Sequence, residues 1–149
     1  MLLEEKFEVR APRQKVWSML RDPQKMMPCI PGCEQIEALD GSNYTATVSV
    51  SLGPIKARFL LHIAIEDEQP PESLCTAVSG EEGSRASQLR ATNKMRLTEI
   101  DSLTTEVYYA SELALTGRLG RFGLGMMKKT MQRLMAQFQQ TFTSLVETS

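Results

Sequence analysis

The apolar residues of this chain keep one period through its middle and then change to another. Tyr44, Ala46, Val48, Val50 and Leu52 alternate with Thr45, Thr47, Ser49 and Ser51. Phe59, Leu61, Ile63 and Ile65 alternate with Leu60, His62, Ala64 and Glu66, and Leu89, Ala91, Asn93, Met95 and Leu97 are opposed by Arg90, Thr92, Lys94 and Arg96. A period of two makes strands with one buried face. After Gly117 the spacing becomes three and four. Leu124, Met127, Met131, Leu134, Met135, Phe138, Phe142, Leu145 and Val146 fill one helical stripe, with Lys129 and Arg133 opposite and no Gly or Pro after Gly125. This predicts one amphipathic helix over about 121–147, roughly 40 Å long. An apolar sheet face and an apolar helix stripe must cover one another.

Turn residues divide the strands. Asp40-Gly41-Ser42-Asn43 is a hairpin signal between Ile36–Leu39 and Tyr44–Leu52. Gly53-Pro54, Pro70-Pro71 and Gly80 to Gly83 punctuate the strands that follow, and the last runs from Glu106 to Thr116. Residues 2–10 read as a first strand. Pro12 suits the opening turn of a helix carrying Val16, Trp17 and Leu20. Asp22-Pro23 pairs a side-chain cap with Pro at the first helical position, predicting a short second helix with Met26 and Met27 that ends before Pro28. Cys29-Ile30-Pro31-Gly32-Cys33 is a rigid turn. No repeat or linker divides residues 1–149, so the expectation is one α+β domain. About seven antiparallel strands form a curved sheet wrapped around a long C-terminal helix, with two short helices after strand 1.

At 149 residues and 42% apolar composition the chain can bury a full core. A net charge of -1 gives no global field for nucleic acid. The charge is uneven, however. Residues 118–149 hold five basic residues against Glu147 alone, a net of +4, which leaves −5 on the first 117. No apolar run is long enough to span a membrane, and the acidic N-terminus lacks the pattern of a secretory signal. With three cysteines and no dense disulfide pattern, a reducing, cytoplasmic setting is expected. Peripheral contact with the inner face of the membrane stays open.

Val9-Arg10-Ala11-Pro12, Val16-Trp17, Asp22-Pro23, Ile30-Pro31-Gly32-Cys33, Gly53-Pro54-Ile55-Lys56-Ala57 and the Gly117/Gly120/Gly123 run together resemble the family of the carbon monoxide dehydrogenase G subunit. That family lies within the polyketide cyclase, START and Bet v 1-like (SRPBCC) superfamily. The resemblance covers nearly the whole chain and implies the helix-grip fold, with a hydrophobic cavity between sheet and long helix. It also implies an accessory role beside molybdenum hydroxylases of the carbon monoxide dehydrogenase type, in membrane attachment or in carrying a quinone-like lipid.

The candidate residues follow from pattern and resemblance together. Methionine adapts to irregular apolar ligands, but a methionine stripe is also ordinary core. Met27, Met127, Met131 and Met135, with Trp17, Ile30, Tyr44, Phe59, Leu61, Tyr109 and Leu113, are expected to line an apolar pocket, and the hydroxyl of Tyr44 or Tyr109 would hold a ligand carbonyl. The inward positions read as almost wholly apolar. Arg118, Arg121, Lys128 and Lys129, with Phe122, offer an anionic surface a place to dock, against the plainer reading of a solvated helix start. Gly117, Gly120, Gly123 and Gly125 lie outside any βαβ unit and are no dinucleotide fingerprint. Cys29 and Cys33, four apart with Cys75 distant, fall short of a zinc set and read as packing cysteines. His62 lies on the strand face opposite Phe59 and Leu61, with no carboxylate or nucleophile placed for it by spacing. No catalytic residue, metal or cofactor is assigned.

The leading expectation is therefore a non-catalytic protein that binds an apolar small molecule, a quinone or other lipid, as an accessory subunit of a molybdenum-containing oxidoreductase. The alternatives are an assembly or membrane-recruitment factor acting by protein contact, and a polyketide cyclase/dehydratase-like enzyme.

Overall fold

A computed structural model describes every residue except Ser84 and Phe122, and Leu124 by its backbone alone. Strands β1 (Leu2–Val9), β2 (Cys33–Ala38), β3 (Asn43–Leu52), β4 (Ile55–Gln69), β5 (Ser73–Glu82), β6 (Ser87–Asp101) and β7 (Thr104–Gly117) form one sheet. Its order is β1-β7-β6-β5-β4-β3-β2, antiparallel throughout. The chain meanders from β2 to β7, and β1 closes beside β7, so β1 and β2 are the two edges. Helix α1 (Arg13–Leu20) and helix α2 (Pro23–Met26) carry the chain from one edge to the other. Helix α3 (Leu124–Thr148) is about 38 Å long at 1.5 Å per residue. The helix-grip arrangement expected from the two periods is the one that forms.

The local signals act as their chemistry requires. Pro12 sits one residue earlier than expected, at the N-cap of α1. The Asp22 carboxylate accepts from the Gln24 and Lys25 amides at 3.0 and 3.4 Å and caps α2, with Pro23 at its first position. A 3-10 turn over Met27–Cys29 follows. Gly32 has φ +77°, and a Cβ there would stand 2.0 Å from the Ser49 carbonyl oxygen, so only glycine lets the turn lie against β3. Gly80 does not break the chain. It lies within β5, where a side chain would strike the Leu60 carbonyl oxygen at 2.2 Å. The last helix starts at Leu124 rather than 121, because Leu119–Arg121 forms a separate 3-10 turn.

The register assigns the inner face, and the buried residues on it form two separate clusters. The larger gathers Phe7, Val9, Val16, Trp17, Leu97, Val107, Phe142 and Val146, among others, where α1 and the C-terminal half of α3 meet the sheet. Phe142 stacks on Phe138 with ring centroids 5.4 Å apart and meets Phe7 edge-on at 6.2 Å. The smaller cluster is Leu52, Ala57, Phe59 and Leu119, at the end where α3 begins.

Candidate functional site

Between the two clusters lies a strip of inner face that neither fills. Ile63 and Ile65 of β4, Thr76 and Val78 of β5, Ala91 and Asn93 of β6, and Ser111 of β7 are all half-buried. They belong to the inner face by register, since each alternates with outward residues along its strand. Helix α3 runs across this strip. At one end Met126 lies beside Gly53 and the Arg133 guanidinium donates to the Ser51 carbonyl at 3.3 Å. At the other, the Tyr109 hydroxyl donates to the Met135 carbonyl at 3.4 Å and its ring meets Phe138 edge-on.

Polar residues define the strip and correct the expectation of an almost wholly apolar interior. Thr76, Asn93 and Ser111 are register partners across β5, β6 and β7 and form one row. Three inward acids surround it, of which Glu5, opposite Tyr109 in β1, is exposed and forms no ion pair among the described residues. Glu68 accepts from Arg21 Nε at 2.7 Å, and the same guanidinium donates to the Tyr44 hydroxyl at 2.9 Å and the Gly41 carbonyl at 3.2 Å. Burial works against the charge on Arg21, but the Tyr44 and Glu68 bonds outweigh it and raise its pKa. At the opposite end Glu82, only 4% exposed, is ion-paired with Arg118 through Oε1, while its Oε2 has no partner among the described residues. Burial pushes the Glu82 carboxyl up. Arg118 and the Ser87 hydroxyl more than offset that and hold it below the usual carboxylate value of 4.5.

The sequence-derived pocket residues separate into groups. Trp17 belongs to the large core cluster and Phe59 to the small one, at opposite ends of α3. Leu113 and Met127 are buried. Met27, Ile30, Tyr44, Leu61, Tyr109, Met131 and Met135 are half-buried around the strip and its ends. Both tyrosine hydroxyls already have protein partners. Burial, aided by Glu5, pushes Tyr109 up to about 12, so its hydroxyl stays a donor.

Of the proposed docking residues, Arg118 is engaged by Glu82, whereas Arg121, Lys128 and Lys129 are exposed, with Met126 exposed beside them. Phe122 lies outside the described residues. Arg58 pairs with Glu34 at 2.8 Å and Arg85 with Glu81 at 3.5 Å.

The outer face carries two depressions. One, of about 810 Å³, holds His62 among Glu37, Thr45, Leu60, Ser79 and Arg90. The other, of about 570 Å³, holds Cys75 beside Asp67, Lys94, Arg96 and Tyr108. Mixed charge and exposed polar groups make both a solvated sheet surface. Burial raises Cys29 to about 11 and also raises Cys33, so neither is an activated thiol. Among the described residues no group of three or more His, Cys, Asp or Glu is placed to hold a metal ion. No helix among them is long and apolar enough to cross a membrane.

Comparison with known proteins decides the family. The family model described as the G subunit of carbon monoxide dehydrogenase (CoxG) matches residues 6–147. The chain belongs to the CoxG family. No curated protein matches it. Among solved structures, a conserved protein from Geobacillus kaustophilus is 23% identical with a TM-score of 0.89, covering 98% of this chain and 95% of that one. A START superfamily protein from Mycobacterium smegmatis is 13% identical with a TM-score of 0.79, over 99% and 97% of the two chains. The Zhui aromatase/cyclase from Streptomyces sp. R1128 is 13% identical with a TM-score of 0.75, over 99% and 93%. At these identities the likeness establishes the fold, and the CoxG chain shares it with a START superfamily protein and an aromatase/cyclase alike.

The three-residue polar row was missed from the sequence for a definable reason. Asn93 stands in the β6 alternation and was readable. Thr76 and Ser111 come beside it only through pairings that no local pattern specifies.

Proposed function

We propose that this CoxG protein holds an apolar small molecule, such as a quinone or another lipid, against the inner face of the sheet beneath α3. It would do so without catalysis, as an accessory to a carbon monoxide dehydrogenase-type oxidoreductase. The observation that carries this reading is the split core. A domain of this size ordinarily builds one continuous core. Here two clusters are separated by a half-covered strip, and the flexible methionines Met131 and Met135 lie on the helix above it. Burial of apolar area supplies most of the affinity for such a ligand, and the few polar groups set its orientation. Association with the oxidoreductase rests on the family name.

Native mass spectrometry of freshly purified protein, followed by organic extraction, tests the reading. A quinone or lipid at near one per chain is the expected result. An empty protein that takes up neither ubiquinone nor menaquinone analogues overturns it.

A second reading has its own observation. At the end where α3 begins, Lys56, Arg121, Lys128, Lys129 and Arg133 are exposed and form no ion pair among the described residues. Five cations around exposed Met126 suit an acidic protein surface or anionic headgroups. If this surface is the function, ligand-free protein still captures the partner enzyme or sediments with anionic vesicles.

A further inference from the structure

Several of the inward polar groups around the row are held by the protein itself. At the large cluster the Thr105 hydroxyl donates to the Ala11 carbonyl at 2.7 Å. At the small cluster the Ser87 hydroxyl accepts from the Leu119 amide at 2.9 Å. Glu68 and Glu82 are each held by an arginine. In the row itself, Asn93 Nδ2 approaches Thr76 Oγ1 at 3.4 Å, and this is the one side-chain hydrogen bond that Thr76, Asn93 and Ser111 make among the described residues. One long contact leaves the Asn93 carbonyl oxygen, its second N–H and the Ser111 hydroxyl without a side-chain partner among the described residues. The three residues are half-buried and lie side by side in the stretch that neither core cluster fills, so their free donors and acceptors can be reached by a partner from outside the chain.

Resting on the ligand-binding reading above, we infer that Asn93, with Thr76 and Ser111, is a polar subsite that receives a neutral head group bearing a carbonyl or hydroxyl oxygen. The row presents amide and hydroxyl groups that both donate and accept, which suits such an oxygen. It presents no charge of its own. Of the inward carboxylates around it, Glu68 and Glu82 are paired with Arg21 and Arg118, while Glu5, the register partner of Tyr109, adds negative charge that an anionic head would meet. The ligand's apolar body then lies along Ile63, Ile65 and Val78 on one side and the methionines of α3 on the other. The site therefore selects an amphipathic molecule with a neutral polar head, in preference to a hydrocarbon or a fatty acid anion.

Equilibrium dialysis with three matched probes tests this: 2-acetylnaphthalene, which carries a ketone; 2-ethylnaphthalene, which lacks it; and 2-naphthoate, which is charged. In the wild-type chain the ketone binds and the anion binds most weakly. In Asn93→Leu the ratio of the ketone and hydrocarbon dissociation constants shifts about tenfold toward the hydrocarbon, the worth of one hydrogen bond left unmade. Thr76→Val, which keeps the shape and removes the hydroxyl, shifts it the same way by about threefold and carries the test if Asn93→Leu fails to fold. An unchanged ratio in the folded variants overturns the subsite while leaving the ligand-binding reading in place. Tightest binding of 2-naphthoate by the wild-type chain also overturns the subsite. If the wild-type chain binds none of the probes, the ligand-binding reading fails and the subsite with it.

Discussion

The two ends of α3 pack by different rules. Its C-terminal half enters an aromatic cluster in which Phe142 and Val146 are fully buried, and the Lys15 ammonium and the Arg10 backbone amide donate to the Ser149 carbonyl and the Glu147 carboxylate at the tip. Its N-terminal half begins without a side-chain cap, has no acidic residue in the first turn, and carries exposed Lys128 and Lys129 in the second. Fold stability is thus concentrated at one end of the helix. The other end is held by a small cluster and an ion pair whose Glu82 side is buried and whose Arg118 side is exposed. Elements that open for ligands are drawn from the less stable part of a structure. The contrast assigns anchoring to the Phe142 end, and under the proposed ligand-binding function it points to the Gly123 end for admission.

The largest expected effect breaks the comparison at its strong end. Phe142→Ala removes a fully buried ring that touches Phe7 and Phe138. A cavity of that kind costs about 3–5 kcal/mol. Urea unfolding should show that loss, with Met131→Ala, at a half-buried site on the same helix, losing clearly less. Equal losses would mean that the strip beneath Met131 is packed as tightly as the core.

How far the sequence led depends on whether a feature is local. The single switch of period placed the strands and the long helix, and Asp22-Pro23 placed α2, because caps and alternation are properties of neighbouring residues. The division of the core was not legible. Trp17 and Phe59 look alike in the sequence, as large apolar residues on inward patterns, yet the fold puts them in different clusters. Arg118 illustrates the same limit. As one of a run of basic residues it reads as surface charge, and only the pairing of β5 with β6 and β7 brings Glu82 to it.

That pair gives the next effect. Glu82→Gln removes the charge and keeps the shape. At neutral pH it should cost about 1–2 kcal/mol, discounted because the Arg118 side chain keeps 45% of its surface in water. The pH dependence carries a sign. Because the folded-state pKa of Glu82 is lowered, its contribution is present above the ordinary value of 4.5 and is lost as pH falls through the folded value. The gap between wild type and Glu82→Gln should therefore be widest near neutral pH and close in acid. A gap that stays constant from pH 7 to pH 3 would show that the carboxylate is not ionised against Arg118.

The smallest effect has the opposite sign and bears most directly on what the weak end is for. Gly125 lies in the first turn of α3, and a Cβ there would meet nothing within 4 Å. Alanine is better than glycine in a helix by up to about 1 kcal/mol, so Gly125→Ala should stabilise the fold by about 0.5–1 kcal/mol. Packing does not require glycine at this position, whereas Gly32 and Gly117 are held at positive φ against neighbouring carbonyls. A glycine that packing does not need, in the uncapped turn of a helix, keeps that turn free to open. If this end admits the ligand, Gly125→Ala should slow the uptake and release of 2-acetylnaphthalene by a similar factor, leaving the equilibrium constant little changed, because the barrier moves and the bound state does not. Stopped-flow Trp17 fluorescence or rapid dialysis reads the rates. Unaltered rates in a stabilised protein would place the entrance elsewhere and reduce the contrast between the two ends of α3 to one of stability alone.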